Sequence, residues 1–304
     1  MSTTPAQLLQ MNREERRFPL HAAPQLMSGF PGLDAVNSSA PFHDQGEICM
    51  AVQLQPRASQ ASVVEFVRRI EIKDTWTRAS LPQLALTSPW CANVPGGLLV
   101  GGTVPESARA DAGRVQVFTR AGGAWEHVAT LPNGVTSIRL IPVPRTGLVA
   151  FIHHDAVGDG PGHLSTTVID DIGGLTAEAL SHAELLPGLF DAGESVTVSD
   201  AIPLGGSTLG ILGQVAFTDD QGGACSYPLS FQLDLDKPRW HNPRVLFDRS
   251  DLPRGPEKRA DLHEIIRCGG IDRDEADRDE DNLTLFCSAG SAEVFRVQVR
   301  WPFD

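Results

Sequence analysis

The feature that most constrains this chain is a series of about a dozen short β-prone runs, rich in Val, Ile, Leu, Phe and Thr. They extend from ICMAVQLQ, which begins at residue 48, to EVFRVQVR, which ends at residue 300. Turn residues separate them, and the 29 Gly and 22 Pro are spread along the chain without a collagen period. Because Gly and Pro at this density interrupt helices, an all-α fold is disfavoured.

Many short strands with few helices to cover a parallel sheet predict an all-β fold, which leaves a sandwich, a barrel or a propeller. The 304 residues fit one closed β domain, and five four-stranded blades would take roughly 304/5, or about 61, residues each. No strict repeat supports a tryptophan-aspartate or kelch array. One internal helix is predicted over LTAEALSHAELL, residues 175–186, with Thr176 as its cap.

Charge and cysteine content exclude several classes of protein. A net charge of -13 and a pI near 5.1 disfavour nucleic-acid binding, because phosphates must be neutralised by Lys and Arg. The sequence has no long apolar run and does not begin like a signal peptide, which predicts a cytoplasmic protein without a membrane segment. The five cysteines are widely spaced and include no CxxC pair, so free thiols are expected, with neither disulfides nor a thiolate zinc site.

Few motifs point to chemistry. The segment His153-His154-Asp155, with His163 nearby, contains metal-capable groups, but neighbouring residues of a strand point to opposite faces, so no metal site is predicted. The acidic stretch 272–281 is interpreted as a solvated hairpin loop. Sequence signatures of serine hydrolases, P-loop nucleotide-binding proteins and HExxH metalloproteases are absent.

The most informative polar cluster is LPRGPEKRADL, residues 252–262. A Gly-Pro turn presents Lys258 and Arg259 beside Asp261, an arrangement that can hold a phosphate or a sugar oxygen. Taken alone, these residues favour a surface salt bridge on a turn instead. Asp34 and Asn37 form another polar group, for which capping and turn formation are the default roles.

Several segments taken in order resemble one family, the β-1,2-mannosyltransferases and β-1,2-mannoside phosphorylases, first catalogued as a domain of unknown function. The resemblance runs over roughly residues 28 to 300, and the run matching GPxKRxDL is its most specific part. The segments that carry it are residues 29–42, 49–62, 88–102, 136–140, 208–217 and 252–270.

The resemblance implies a five-bladed β-propeller over residues 28–304, after an N-terminal extension over residues 1–27. Family members transfer mannose between GDP-mannose or mannose 1-phosphate and a β-1,2-linked mannose oligosaccharide, in a funnel on the propeller axis. For this chain neither a cofactor nor a metal is expected. In the phosphorolytic reaction one carboxylic acid protonates the departing oxygen while phosphate attacks from the opposite face. The sugar- and phosphate-binding positions that this chain retains are Asp34, Asn37, Arg57, Arg139, Lys258, Arg259 and Asp261.

The chain departs from the family pattern at its acidic positions. Ser88-Pro89 replaces the Asp-Pro pair that bears the catalytic acid, and Ser137 replaces another Asp. The usual Asn-Glu pair is Ser199-Asp200, a usual His is Gln214, and a run rich in charged residues reads QLQPRASQ over residues 53–60. Loss of a general acid costs roughly 10²- to 10⁴-fold in rate.

Three functions therefore remain open. The favoured one is a catalytically impaired propeller that binds mannose or mannose phosphate; the second is an active transferase or phosphorylase that uses Asp200 or Asp155 as a substitute acid. The third is a non-catalytic scaffold that binds another protein. The expected partners are a mannose oligosaccharide, mannose 1-phosphate or GDP-mannose, and a homodimer is a base-rate expectation. Under either of the first two functions, the funnel is expected to be lined by Ser88, Arg139, Lys258 and Arg259.

Overall fold

A computed structural model describes most of the chain. The described residues are 3–15, 20–27, 30–59, 61–70, 75–105, 113–121, 123–144, 146–154, 162–190, 194–256, 259–276 and 281–303.

The described residues form five antiparallel sheets, preceded by the helix α1 (Pro5–Glu15). The first strand in the chain, β1 (Gln25–Leu26), belongs to the last sheet. Blade one contains β2 (Leu33–Ser38), β3 (Phe42–Asp44), β4 (Glu47–Pro56), β5 (Val63–Ile70) and β6 (Thr75–Arg78). Blade two contains β7 (Thr87–Val94), β8 (Gly97–Thr103), β9 (Val115–Ala121) and β10 (Ala124–Thr130).

Blade three contains β11 (Val135–Val143), β12 (Gly147–His154), β13 (His163–Ile169) and β14 (Glu184–Leu185), with the helix α2 (Ala177–Ser181) before its last strand. Blade four contains β15 (Ser195–Gly205), β16 (Thr208–Thr218), β17 (Ala224–Asp234) and β18 (Arg239–Val245). Blade five contains β19 (Ile266–Ile271), the helix α3 (Arg273–Ala276), β20 (Asn282–Ala289) and β21 (Glu293–Arg300), and β1 completes it as the outer strand.

The innermost strands of the five blades close into a ring. β2 packs against β7, β7 against β11, β11 against β15, β15 against β19, and β19 returns to β2. Closure is tight, because a Cβ on Gly269 of β19 would collide with the carbonyl oxygen of Ser38 on β2. The five-bladed β-propeller implied by the family resemblance is therefore confirmed.

Strands in the middle of the blades, such as β20 and β12, are buried along most of their length because both faces of a blade are covered by its neighbours. In β20 every residue from Asn282 to Ala289 is buried, and in β12 five consecutive residues, 148–152, are buried. In a strand with only one buried face, buried and exposed residues would alternate instead. The described residues include no helix long and apolar enough to cross a membrane.

The N-terminal segment packs on the propeller. Leu8 and Leu9 of α1 are buried in the core of blade four, and Arg13 Nε donates to Asp248 Oδ2 at 2.5 Å. Downstream, β1 pairs with β21, so the propeller includes part of the segment predicted as an extension. This pairing joins the N-terminal segment to the last blade, as in other closed rings of blades.

Two local predictions differ from the structure. The helix expected over 175–186 is only the short α2, capped by Thr176 as predicted, and Glu184–Leu185 instead form β14, because blade three needs an outer strand against β13. The stretch interpreted as a solvated loop begins with the buried Asp272 and continues into α3. Residues 277–280 of that stretch lie outside the described residues.

Candidate functional site

Several polar residues lie at one end of the ring, where the inner strands begin. Each blade starts with its inner strand, so the five inner strands begin at the same end. Three polar contacts join their first residues to neighbouring strands and turns, namely Gln53 to Ser88, His153 to Ser195, and Arg267 to Ser291. We call this end the mouth, and the space that the inner strands enclose below it the axial channel.

Asp34 and Arg57 form an ion pair at the mouth. The Asp34 side chain on β2 is buried, and its Oδ1 accepts a hydrogen bond from Arg57 Nε at 2.9 Å. The Arg57 side chain is 61% exposed, so the pair anchors one end of a guanidinium that otherwise faces solvent. Asn37, also on β2, is buried and accepts a hydrogen bond from the backbone N–H of Ser38 at 2.9 Å. Its contact is the local kind expected of a turn-forming residue.

Ser88 lies at the mouth, on the second residue of β7. Its side chain is exposed, and its backbone N–H donates to Gln53 Oε1 at 2.8 Å. The backbone adopts a φ of 50°, in the left-handed region that non-glycine residues rarely occupy. Ser88, which the resemblance predicts to stand at the catalytic-acid position, is thus an exposed residue in an unusual backbone conformation.

Arg139 lies deeper along the ring, in the middle of the inner strand β11. Its charge interacts with Cys91 of β7 and Asp200 of β15, the inner strands on either side of its own strand, β11. Burial lowers the pKa of Arg139 to about 10, against the opposing attraction of Asp200. Nη1 donates to the carbonyl of Ile138 at 2.8 Å, while the buried Nε has no hydrogen-bond partner among the described residues. The residue as a whole is half-buried.

An unpaired buried guanidinium nitrogen costs free energy unless something binds it. Arg139 is therefore the described residue best suited to receive an anion from the channel. Its neighbour Cys91 does not compete, since burial raises the pKa of this thiol to about 12 and keeps it neutral.

Asp200, the possible substitute acid, is engaged in contacts between blades four and five. One oxygen accepts from the backbone N–H of Ile271 at 3.0 Å. The other accepts from Arg273 at 2.5 Å and from the backbone N–H of Ala201 at 2.8 Å. Both oxygens accept hydrogen bonds from N–H donors. The side chain therefore holds β15 against the start of α3, which is a role in stability. Its catalytic role stays a prediction.

The cluster 252–262 is only partly described. Lys258, its central residue, lies outside the described residues, as does Asp155, the other possible substitute acid. Arg259 and Asp261 form a two-bond ion pair at 2.9 and 2.5 Å, and both side chains are more than 60% exposed. This pairing raises the pKa of Arg259 and lowers the pKa of Asp261. Among the described residues predicted to line the funnel, the structure places Ser88 and Arg139 on the inner strands and Arg259 on an exposed turn.

Two further polar groups at the mouth were not predicted from the sequence. His153 bridges blades three and four, with Nδ1 2.7 Å from Thr136 Oγ1 and Nε2 3.3 Å from Ser195 Oγ. On β19, Arg267 donates to Ser291 Oγ at 2.8 Å, and burial lowers its pKa. The hydrogen-bond partners of His153 are distant in sequence, so no local motif marks them. The only signal in the sequence is that side chains alternate between the two faces of β12, which puts His153 on one face and His154 on the other.

The histidines do not gather around a metal. His154 points to the other face of β12, where its ring stacks on His163 with centroids 4.5 Å apart. Burial, and then the neighbouring His163, lower the pKa of His154. Within the part of the chain that the structure describes, no three His, Cys, Asp or Glu residues are placed to share an ion.

Comparison with known sequences identifies the family. The model of the family described as "Protein of unknown function (DUF1861)" matches residues 13–304. The chain belongs to the DUF1861 family. No curated protein matches its sequence.

The solved structures that resemble this DUF1861 protein include several carbohydrate-active enzymes. A mannose phosphorylase from Leishmania mexicana, MPT-4, in complex with a phosphate ion, has a TM-score of 0.84 and 19% identity over 98% of this chain and 93% of its own. MPT-1, a GDP-Man-dependent mannosyltransferase from the same organism, has a TM-score of 0.83 and 17% identity over 99% and 95%. A Penicillium chrysogenum α-L-arabinanase is more distant, with a TM-score of 0.56 and 12% identity over 91% and 97%. At these identities the likeness shows the fold.

Proposed function

We propose that this DUF1861 protein binds mannose or a mannose phosphate through the mouth and axial channel, and turns it over slowly or not at all. The observation that supports the proposal is the buried Nε of Arg139 on an inner strand, which has no hydrogen-bond partner among the described residues. It is combined with the hydroxyl of Ser88, where the resemblance predicts the family's acid. The site would thus keep a group that binds an anion and lack the group that donates a proton.

The binding half of the proposal depends on Arg139. A phosphate in the channel would accept hydrogen bonds from the guanidinium, including the Nε that lacks a partner among the described residues. Charge-assisted hydrogen bonds of this kind are stronger than neutral ones, and more so away from bulk water. MPT-4, whose fold this chain shares, has been solved with a phosphate ion, which makes phosphate the first anion to test.

The second half of the proposal, that turnover is slow or absent, depends on the carboxylates near the channel. A general acid must reach the departing oxygen with a proton to give. Asp34 is held by Arg57, and both oxygens of Asp200 accept hydrogen bonds from N–H groups. Ser88 offers only a hydroxyl, which is a far weaker acid than a carboxyl group.

Calorimetric titration with mannose 1-phosphate tests the binding. We expect a dissociation constant in the micromolar to low millimolar range, roughly -4 to -8 kcal/mol. Arg139→Met removes the guanidinium while keeping a long apolar stem and is expected to weaken binding roughly 10- to 100-fold. Arg239→Met, on the exposed outer strand of blade four, is the matched control and should leave affinity unchanged. No heat from the folded wild type would overturn the proposal and favour a protein-binding scaffold.

Restoring the acid tests why turnover is impaired. Release of mannose 1-phosphate from β-1,2-mannobiose and phosphate should be at or near background for the wild type, and Ser88→Asp should raise it measurably. Only partial rescue is expected, because Gln53, Gln55 and Ser137 have also lost the charges typical of the family. Ser88→Asn, which has the shape of Asp without its acidity, is the control. Rapid wild-type turnover that does not depend on Ser88 would contradict the proposal and indicate a substitute acid.

A further inference from the structure

A cavity of about 360 Å³ lies between blades one and five, at the mouth but beside the axial channel. Its walls come from β1, β2 and β21, and backbone hydrogen bonds hold them together, from Met27 N–H to Val294 O and from Ala35 N–H to Ala292 O, both at 2.9 Å. A volume of this size is within the range of small-ligand pockets, roughly 300 to 1,000 Å³. The fixed backbone makes it a preformed pocket.

The lining is apolar except for two charged side chains. Met27, Phe30 and Leu33 contribute apolar surface, and Arg57 and Glu293 contribute the charged groups. Small-molecule sites commonly combine an apolar wall with a few polar groups that fix orientation. The polar pair here is made of one donor-only and one acceptor side chain, which suits a ligand that carries hydroxyl groups.

Glu293 has hydrogen-bonding capacity to spare. Its half-buried side chain makes no hydrogen bond to any other described residue. Burial raises its pKa, against the attraction of Arg249 and Arg57. The carboxylate lies against Gly255, where a Cβ would collide with Oε2. A half-buried carboxylate that accepts no hydrogen bond from the described residues is free to accept one from a ligand hydroxyl.

Charges around the cavity balance, which disfavours an anionic occupant. Arg57 is paired with Asp34, and the charge of Glu293 interacts with that of the buried Arg249. Two positive and two negative groups give no net attraction for a phosphate. Arg139 also interacts with the charge of Asp200, but its buried Nε has no hydrogen-bond partner among the described residues, which makes it the better anion site.

We propose that the cavity between blades one and five binds an uncharged sugar unit, with Glu293 and Arg57 hydrogen-bonded to its hydroxyl groups. This inference rests on the proposed function and divides it into two subsites. The phosphate group occupies the axial channel at Arg139, and a neutral hexose unit of an oligosaccharide occupies the cavity. Gly255 acts as a positioning residue because it leaves room for the Glu293 carboxylate.

The test titrates wild type and variants separately with β-1,2-mannobiose and with inorganic phosphate. Glu293→Ala should weaken mannobiose binding about tenfold or more and leave phosphate binding within twofold. Gly255→Ala should also weaken mannobiose binding, because it displaces the carboxylate without removing it. Arg139→Met should show the reverse pattern, weakening phosphate alone. Glu126→Ala, at an exposed position of blade two, is the matched control and should change neither.

Each outcome separates this inference from the proposed function. Mannobiose affinity that stays within twofold of wild type in both Glu293→Ala and Gly255→Ala would overturn the cavity assignment while leaving anion binding at Arg139 intact. If the wild type binds phosphate but not mannobiose, the cavity assignment is likewise overturned and anion binding at Arg139 is kept. Wild type that binds neither ligand would overturn both. Circular dichroism and thermal unfolding of each variant confirm that a loss of affinity is measured on a folded protein.

Discussion

Phe231→Ala should lower the free energy of unfolding by about 3 to 5 kcal/mol, the largest stability effect that we expect from a single substitution here. Phe231 on β17 is fully buried, lies opposite Ile211 of β16, and contacts Trp240 edge-to-face with centroids 4.7 Å apart. Its removal leaves a cavity that blades on both sides cannot fill by moving, because each is held by its own hydrogen-bonded ladder.

Chemical denaturation, with the slope of the transition checked for change, measures this loss. Ile211→Val, which removes one methylene from the facing residue, is the graded control and should cost only about 0.5 to 1.5 kcal/mol. A loss below about 1 kcal/mol for Phe231→Ala would show that the core of blade four is looser than the structure indicates.

Asp200→Ala should also destabilise the protein, by about 3 kcal/mol. The side chain is 5% exposed and accepts hydrogen bonds from Arg273 and from the backbone N–H of Ile271. Removing it leaves a charge and an N–H group without their acceptor at the junction of blades four and five. Breaking a buried ion pair costs about 3 to 5 kcal/mol of stability. We expect the lower value here because the Arg273 side chain is 37% exposed and water can solvate its charge.

This substitution separates a structural from a catalytic Asp200. If the residue is structural, Asp200→Ala lowers the midpoint of unfolding, and any residual turnover changes only in proportion to the folded fraction. Asp236→Ala, on an exposed turn of the same blade, is the control and should stay within about 0.5 kcal/mol. Unchanged stability with abolished turnover would assign Asp200 as the acid, and the protein would then be an enzyme.

Part of the candidate site could be predicted from the sequence. The resemblance pointed to Ser88 and Arg139, and both lie on inner strands. The charged run at 258–261 was the most specific motif, yet Arg259 pairs with Asp261, two residues away, on an exposed turn. Opposite charges that are close in sequence often pair with each other in this way. The sequence alone does not distinguish such a pair from charged residues that bind a ligand. Glu293 and Gly255 lie 38 residues apart in sequence and carry no pattern that links them.

The fold shows the same division. Periodicity marked the strands, because a buried strand needs apolar side chains wherever it is placed. It misassigned Glu184–Leu185 to a helix, since local propensity there favours helix and only the open edge of β13 makes those residues a strand. The pairing of β1 with β21, which joins the N-terminal segment to the last blade, was likewise invisible to local pattern.

The sequence by itself therefore determined the all-β class, the positions of most strands, the absence of an acid at Ser88 and the overall negative charge. These properties depend on each residue and its near neighbours. Only the tertiary structure decided which carboxylates are occupied, that Arg139 has a buried nitrogen without a partner among the described residues, and that a neutral cavity lies beside the channel. Those properties depend on groups brought together from different blades, and their chemistry is set by burial and partners that no local pattern contains.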